Sequence, residues 1–212
     1  MLEIKLVIFD LDGTLVDAYA AINSSFNYVM RTLGEKPQSP RVIRAAVGWG
    51  DVNLLEPFVC KKNLLPAIYL YRNHHKHSLL KHSRLYPHVR QLLRQLKAQG
   101  YKLAVASNRP TKFSLILLRH LRLIDAFDCV LCADKLKYGK PHPLILNKII
   151  KRFGFKKSQV LYVGDMAIDA QAGRRARVKT IIVSGGSSSN FEVKKEKPFK
   201  VVSRISKLLD LL

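Results

Sequence analysis

The chain has 212 residues, with 37 Lys and Arg against 15 Asp and Glu, which gives a formal net charge of +22 at pH 7. This length is typical of one domain, or of one domain with an insertion. Hydrophobic residues make up 48% of the chain, which excludes disordered and fibrous classes. No apolar run approaches the ~20 residues of a membrane span, the first residues lack a signal-peptide pattern, and three cysteines do not form a disulfide framework. We therefore expect a soluble, cytoplasmic, globular protein.

The basic excess extends along the whole chain, apart from residues 1–15, where acidic residues predominate. A nucleic-acid-binding module more often concentrates its Lys and Arg in one arm or on one helix face, with aromatic residues among them. We therefore favour a generally basic surface over a nucleic-acid-binding surface.

Six short apolar runs, rich in β-branched residues, are predicted strands. Nearly continuous apolarity is typical of a parallel sheet that is covered on both faces. Apolar residues at helical spacing lie between most of these runs, so the pattern predicts a doubly wound, mostly parallel, Rossmann-like α/β sheet. The predicted strands are residues 4–9, 103–106, 130–132, 160–163, 180–183 and 201–202.

One long segment interrupts the alternation of strands and helices. Residues 16–84 show helical patterns and no convincing strand, and they are far too many for an ordinary βα connection. We predict that residues 16–84 form an all-helical cap, inserted into a core made of residues 1–15 and 85–212.

Polar residues follow several of the predicted strands at the point where each strand ends. In open α/β sheets, ligands bind just beyond the carboxyl ends of the strands. Carboxylates from two strands would suit a hard cation such as Mg²⁺, and one of them could attack phosphorus while another transfers a proton. Taken singly, each residue could equally be a helix cap or a solvated loop side chain. The residues concerned are Asp10, Asp12, Thr14, Ser107, Asn108, Lys140, Asp165 and Asp169.

Four sequence motifs in this set carry a family resemblance. DLDGTLVD, SNRP, GKP and GDMAID, in this order, resemble the motifs of the haloacid dehalogenase superfamily of phosphohydrolases. The residues of the second and third motifs, together with the insertion directly after the first motif, most resemble those of the phosphoglycolate phosphatase branch. The resemblance covers essentially the whole chain.

The resemblance implies a role for each matching position. Asp10 would be the nucleophile and Asp12 the general acid and base. Asp165 would hold Mg²⁺ together with the Asp10 carboxylate and the Asp12 backbone carbonyl, and Asp169 would orient these ligands or the lysine. The residues implied to bind the phosphoryl group are Thr14, Ser107, Asn108 and Lys140.

The same resemblance implies a magnesium-dependent phosphatase that acts on a small phosphate monoester, with 2-phosphoglycolate the first candidate. Pyrophosphate or another small phosphorylated metabolite is the alternative, and a nucleic-acid-binding protein on a phosphatase scaffold is an alternative of a different class. A monomer and a homodimer are both compatible with the sequence. Candidate specificity residues are Arg44, Gly48, Trp49 and Arg109, although Trp49 could equally pack between cap helices.

Two further clusters invite a metal or redox interpretation. His74, His75, His77 and His82 lack acidic or cysteine partners at ligand spacing, so we interpret them as a solvated basic linker between cap and core. Cys129 and Cys132 form a CxxC pattern, but they lie on a predicted strand, where residues three apart face opposite sides. We expect two buried structural cysteines.

Overall fold

The structure is a computed structural model that describes residues 3–212. Six parallel strands form its central sheet, in the spatial order β5, β4, β1, β6, β7, β8 (bounds below). All six predicted strands are present, so the doubly wound α/β fold is confirmed. The strands in chain order are β1 (Leu6–Phe9), β2 (Val16–Asp17), β3 (Arg84–Leu85), β4 (Lys102–Ser107), β5 (Cys129–Cys132), β6 (Val160–Gly164), β7 (Lys179–Val183) and β8 (Lys200–Val202).

Strand β1 shows why the sheet is buried on both faces. Its side chains alternate, with Val7 and Phe9 in one hydrophobic cluster and Leu6 and Ile8 in another, and all four are fully buried. The period of two residues places successive side chains on opposite faces, so a continuous apolar run is what two covered faces require.

Nine α-helices lie in the described chain, and four of them form the layer above the carboxyl edge of the sheet. Amphipathic patterns that end at Gly100 and Gly154 explain the limits of α5 and α7, because a glycine can take the positive φ that ends a helix. The helices are α1 (Tyr19–Thr32), α2 (Pro40–Ala46), α3 (Asp51–Leu55), α4 (Leu64–His82), α5 (Val89–Ala98), α6 (Thr111–His120), α7 (Leu144–Phe153), α8 (Ala167–Ala176) and α9 (Asn190–Lys195).

Helices α1 to α4 have a hydrophobic core of their own, separate from the two clusters on the faces of the sheet. Phe26, Met30 and Leu55 are fully buried in it, and the ring of Phe26 meets that of Phe58 edge-on at 5.0 Å. These helices therefore pack as a unit around their own core. We keep the name cap for residues 16–84.

The chain enters and leaves the cap through a short antiparallel ribbon. Val16 pairs with Leu85 and Asp17 with Arg84, so the two connections lie side by side. The sequence pattern predicts no strand here, because two-residue strands are too short to show alternation.

Two short helical segments complete the described chain. Helix α9 begins at Asn190, and the side chain of its N-cap residue, Ser189, forms a capping box with that of Glu192. A 3₁₀ helix, Ile205–Leu211, follows β8.

Candidate active site

The carboxyl ends of three adjacent strands meet at one edge of the sheet. Asp10 follows β1, Ser107 ends β4, and Asp165 follows β6, and β1 lies between the other two strands. Lys140 reaches the same place from the loop before α7. All four side chains are at least nine-tenths buried.

Lys140 joins two of the carboxylates. Its Nζ lies 2.7 Å from Asp10 Oδ1 and 2.8 Å from Asp169 Oδ1, and the hydroxyl of Tyr162 donates to the same Asp169 oxygen at 2.6 Å. Burial alone would lower the pKa of Lys140, but the charges of Asp10 and Asp169 raise it above its ordinary value. Lys140 is therefore a permanent cation at this edge of the sheet.

The carboxylates lie close together and are buried. Burial raises the pKa of Asp10 to about 7, against the opposing charge of Lys140 and with the added repulsion of Asp169. Burial, followed by repulsion from Asp169 and Asp10, raises the pKa of Asp165 well above its ordinary range. The site therefore carries more buried negative charge than one lysine balances, which favours a cation.

Oxygen atoms of Asp10, Asp165 and Asp169 all lie within 4.8 Å of one another, close enough to surround one metal ion. The Asp169 oxygens already accept from Lys140, Tyr162 and the backbone N–H groups of Asp165 and Met166. Asp165 Oδ2, in contrast, is buried and has no hydrogen-bond partner within residues 3–212. Asp10 and Asp165 therefore each have a carboxylate oxygen that could coordinate a metal ion. Carboxylate oxygens are suitable ligands for Mg²⁺.

Thr14 lies behind Asp165, and its role in phosphate binding stays a prediction. Its hydroxyl donates to Asp165 Oδ1 at 3.0 Å, and the residue is buried. Thr14 fixes the orientation of the Asp165 carboxylate and does not line the cavity described below.

The side chain of Asn108 links two loops, so its polar atoms are occupied. Its Nδ2 donates to the carbonyl oxygens of Gly48 in the cap (2.8 Å) and of Lys140 (2.9 Å), and its Oδ1 accepts from the Lys140 N–H at 2.8 Å. Asn108 thus holds the Lys140 loop and the cap together, and it also lines the cavity, so its binding of phosphate stays a prediction. Ser107 lines the cavity, and its Oγ accepts from the N–H of Arg109 at 3.2 Å.

Arg109 contacts Asp12 with both atoms of one guanidinium edge. The distance from Nε to Asp12 Oδ2 is 2.7 Å, and from Nη2 to Oδ1 it is 2.6 Å. A bidentate pair of this kind fixes the plane of the carboxylate as well as its position. The side chain of Asp12 is thus bound to Arg109 and lies outside the group of three metal-competent carboxylates.

The other predicted specificity residues lie at different places in the cap. Gly48 lines the cavity, and a Cβ on it would be only 2.7 Å from the Cε of Met166. Arg44 stacks on the ring of Tyr19, with 4.0 Å between its Cζ and the ring centre, and donates to the carbonyl of Gly185. Neither Arg44 nor Trp49, which is 46% exposed, lines the cavity. Arg44 is instead a second contact between cap and core.

The cap and these loops line a cavity of about 70 Å³ that is partly open to solvent. Asp10, Asp12 and Lys140 line its core side. The cap and the loops supply mainly apolar lining residues: Ile22, Val47, Leu54, Tyr71, Phe113, Met166 and Ile168.

The four histidines lie on α4, so the prediction of a linker is wrong, and one of them is not solvated. His75 is buried, with its ring stacked on Tyr71 and its Nε2 3.0 Å from Arg109 Nη1. This histidine belongs to the site and was not among the predicted site residues. The signal that could have found it is the helical spacing of Ala67, Tyr71 and His75 on one face.

Cys129 and Cys132 are both buried and free, as expected. Cys132 lies against Ser114, with 3.3 Å between Sγ and Oγ. Within residues 3–212, none of the helices combines the length and the apolar character needed to cross a membrane.

Comparison with known proteins agrees with this geometry. The model of the haloacid dehalogenase-like hydrolase family matches residues 7–183. A phosphoglycolate phosphatase of Nitrosospira multiformis is 33% identical over 200 residues (91% of this chain, 88% of the relative). One from Aquifex aeolicus is 30% identical over 208 residues (98% and 96%). The crystal structure of a predicted phosphoglycolate phosphatase from Haemophilus somnus, 27% identical, superposes with a TM-score of 0.94 and covers 100% of this chain and 99% of its own.

The chain therefore belongs to the haloacid dehalogenase-like hydrolase family. Within that family it is a phosphoglycolate phosphatase-like protein, and hence a phosphoric monoester hydrolase.

Proposed function

We propose that the protein is a magnesium-dependent phosphatase that hydrolyses a small phosphate monoester through an aspartyl-phosphate on Asp10. The observation that carries the proposal is the 2.7 Å contact between Lys140 Nζ and Asp10 Oδ1 in the wall of a small cavity. This contact leaves the second oxygen of Asp10 free to attack and places a cation beside the developing charge.

In the first step, a carboxylate oxygen of Asp10 attacks the phosphorus, and the bond from phosphorus to the ester oxygen breaks. The leaving oxygen takes a proton from the carboxyl group of Asp12 and departs as an alcohol. Lys140 and backbone N–H groups of the surrounding loops hold the phosphoryl oxygens.

In the second step, the Asp12 carboxylate takes a proton from water while the water oxygen attacks the phosphorus. The bond from phosphorus to Asp10 breaks, which releases phosphate and restores the Asp10 carboxylate. The residues that would hold Mg²⁺ are Asp10 and Asp165, with the backbone carbonyl of Asp12 as the family resemblance implies. When bound, the ion would supply positive charge to the phosphoryl oxygens.

The pocket beside Asp10 is partly open to solvent, with Asp12 and Lys140 also in its wall. The relatives are phosphoglycolate phosphatases, so 2-phosphoglycolate is the first substrate to test.

The decisive experiment measures phosphate release from 2-phosphoglycolate, pyrophosphate and neutral alkyl phosphates, with Mg²⁺ and with a chelator. We expect turnover only with Mg²⁺, and a loss of about 10³-fold or more in Asp10→Asn. The matched control is Asp210→Asn, since Asp210 is an exposed carboxylate that pairs with Lys207. Mass spectrometry after acid quenching should find a phosphoryl group on the peptide that contains Asp10. Undiminished turnover in Asp10→Asn would disprove the covalent route.

A further inference from the structure

A chain of hydrogen bonds connects Asp12 to the interior of the cap. Arg109 holds the Asp12 carboxylate with one guanidinium edge, and its Nη1 lies 3.0 Å from His75 Nε2 on α4. His75 Nδ1 lies 3.0 Å from the hydroxyl of Ser25 on α1. Both Arg109 and His75 are more than nine-tenths buried.

The donors and acceptors in this chain are determined by Arg109. A guanidinium can only donate hydrogen bonds, so His75 Nε2 must accept, and the proton of the neutral ring sits on Nδ1 and points to Ser25. Burial, reinforced by the charge of Arg109, holds the pKa of His75 well below its usual value, which agrees with a neutral ring. Tyr71 stacks on the ring at 4.7 Å and Phe113 meets it edge-on at 5.5 Å, so the ring has little freedom to turn.

We propose that Arg109 is a positioning residue for Asp12, and that the cap completes this arrangement by supplying His75 as the acceptor that fixes Arg109. Asp12 then takes its working orientation only when the cap lies over the site, so proton transfer is coupled to cap closure. The inference rests on the proposed function, in which Asp12 is the acid and base.

The competing role for Arg109 is to bind an anionic group of the substrate, such as a carboxylate. Three of its five N–H donors are already used, and the Nε–Nη2 edge, which suits a carboxylate best, is taken by Asp12. A positioning residue affects kcat for every ester, whereas a substrate-binding residue affects KM for carboxylated esters in particular.

The experiment compares Arg109→Met and Arg109→Lys with wild type on 2-phosphoglycolate and on a neutral alkyl phosphate. We expect Arg109→Met to lower kcat by about 100-fold on both substrates, the typical cost of a misplaced catalytic group, with KM changed less than about threefold. Arg109→Lys should recover part of kcat. Arg174→Met is the matched control, because Arg174 holds Glu196 in an exposed ion pair away from the cavity.

A double-mutant cycle then tests whether Arg109 acts through Asp12. In the Asp12→Asn background, Arg109→Met should cause no further loss of kcat. If Arg109→Met does not fold by circular dichroism, Arg109→Lys takes its place in the cycle. An additional loss equal to that in wild type, or a rise in KM confined to 2-phosphoglycolate, would overturn the inference.

The part played by the cap is tested with two variants of His75. His75→Phe keeps a flat ring but has no acceptor for Arg109, so kcat should fall by about 10-fold, less than on loss of Arg109. His75→Gln offers an oxygen acceptor, so kcat should recover. Equal activity in the two variants would contradict the role of His75. Wild type that releases no phosphate would instead contradict the proposed function, so the two failures are distinguishable.

Discussion

Gly13 lies directly against the carboxylate of Asp165. A Cβ at Gly13 would be 2.0 Å from Asp165 Oδ2, the oxygen that has no hydrogen-bond partner in the described chain. The backbone φ of Gly13 is +82°, so the residue is a glycine both for its conformation and for the room it leaves. In the first motif, the glycine is therefore needed to leave room for Asp165, in addition to the two aspartates.

Gly13→Ala should therefore abolish magnesium-dependent turnover, because the new methyl group displaces the Asp165 carboxylate. Gly34→Ala is the control. Gly34 also has a positive φ, +72°, but a Cβ at this position would have no neighbouring atom within 4 Å. Both variants should lose about 1–2 kcal/mol of unfolding free energy from backbone strain. We expect Mg²⁺ to raise the melting temperature of wild type and of Gly34→Ala, and to leave that of Gly13→Ala unchanged. A normal magnesium response in Gly13→Ala would show that the ion lies elsewhere.

Lys140→Met should be strongly destabilising. It leaves the buried carboxylates of Asp10 and Asp169 without their shared cation, and a broken buried ion pair costs about 3–5 kcal/mol. Lys207→Met removes an exposed pair with Asp210 and should cost about 0–1 kcal/mol. Urea denaturation of the two variants provides the comparison, and equal losses would contradict the structural importance of Lys140.

The stability of wild type should decrease as the pH falls below about 6.5. In the folded protein, burial and then Arg109 hold the pKa of His75 well below its usual value, with a smaller contribution from His74. At acid pH the unfolded chain therefore binds a proton on His75 that the folded chain does not bind. The free energy of unfolding then falls by at most about 1.4 kcal/mol per pH unit for one such histidine.

The measurement is the free energy of unfolding of wild type and of His75→Gln between pH 5 and pH 8. The difference between the two proteins should be constant above about pH 7, and it should shift in favour of His75→Gln as the pH falls. The comparison cancels the titration of other groups that both proteins share. Parallel curves over the whole range would show that His75 protonates freely in the folded state.

Asn108→Ala should loosen the cap, because it removes the bond to Gly48 and both bonds to Lys140. Trp49 follows Gly48 and is the one tryptophan of the sequence, so its fluorescence reports on this contact. We expect stronger quenching of Trp49 by acrylamide and a lower kcat/KM.

Asn27→Ala is the matched control for Asn108→Ala. The Asn27 amide makes a similar pair of bonds, 2.9 Å and 2.8 Å, to the backbone of Gln38, entirely within the cap. This variant should lose stability, at about 1–3 kcal/mol for a lost buried partner, with quenching of Trp49 unchanged. The same rise in quenching in both variants would mean that Trp49 reports on general loosening.

Local sequence patterns were sufficient to predict the sheet and the positions of the strand-end aspartates. The strand around Val7 is continuously apolar because both faces of the sheet are covered, and that cause is visible in the sequence itself. Asp10 and Asp165 then meet because they follow adjacent parallel strands. The local patterns do not give this strand order, in which Leu6 pairs with Val160.

The environment of His75 could not be predicted in the same way. Its partners Ser25 and Arg109 are 50 and 34 residues away, so its neighbours in the sequence, which are polar or basic, gave no sign of burial. The side-chain partners of Thr14 and Asn108 could not be predicted for a related reason. A motif shows that a polar side chain lies near a site, but only tertiary contacts decide which neighbour its hydrogen bonds reach.

The contacts that hold the cap over the cavity have a consequence for the timing of the reaction. Gly48, Arg44 and His75 all bind partners in the core. We expect these three contacts to break and reform as product leaves and substrate enters. Added viscogen should then slow the release of phosphate, because the helices of the cap must move through the solvent.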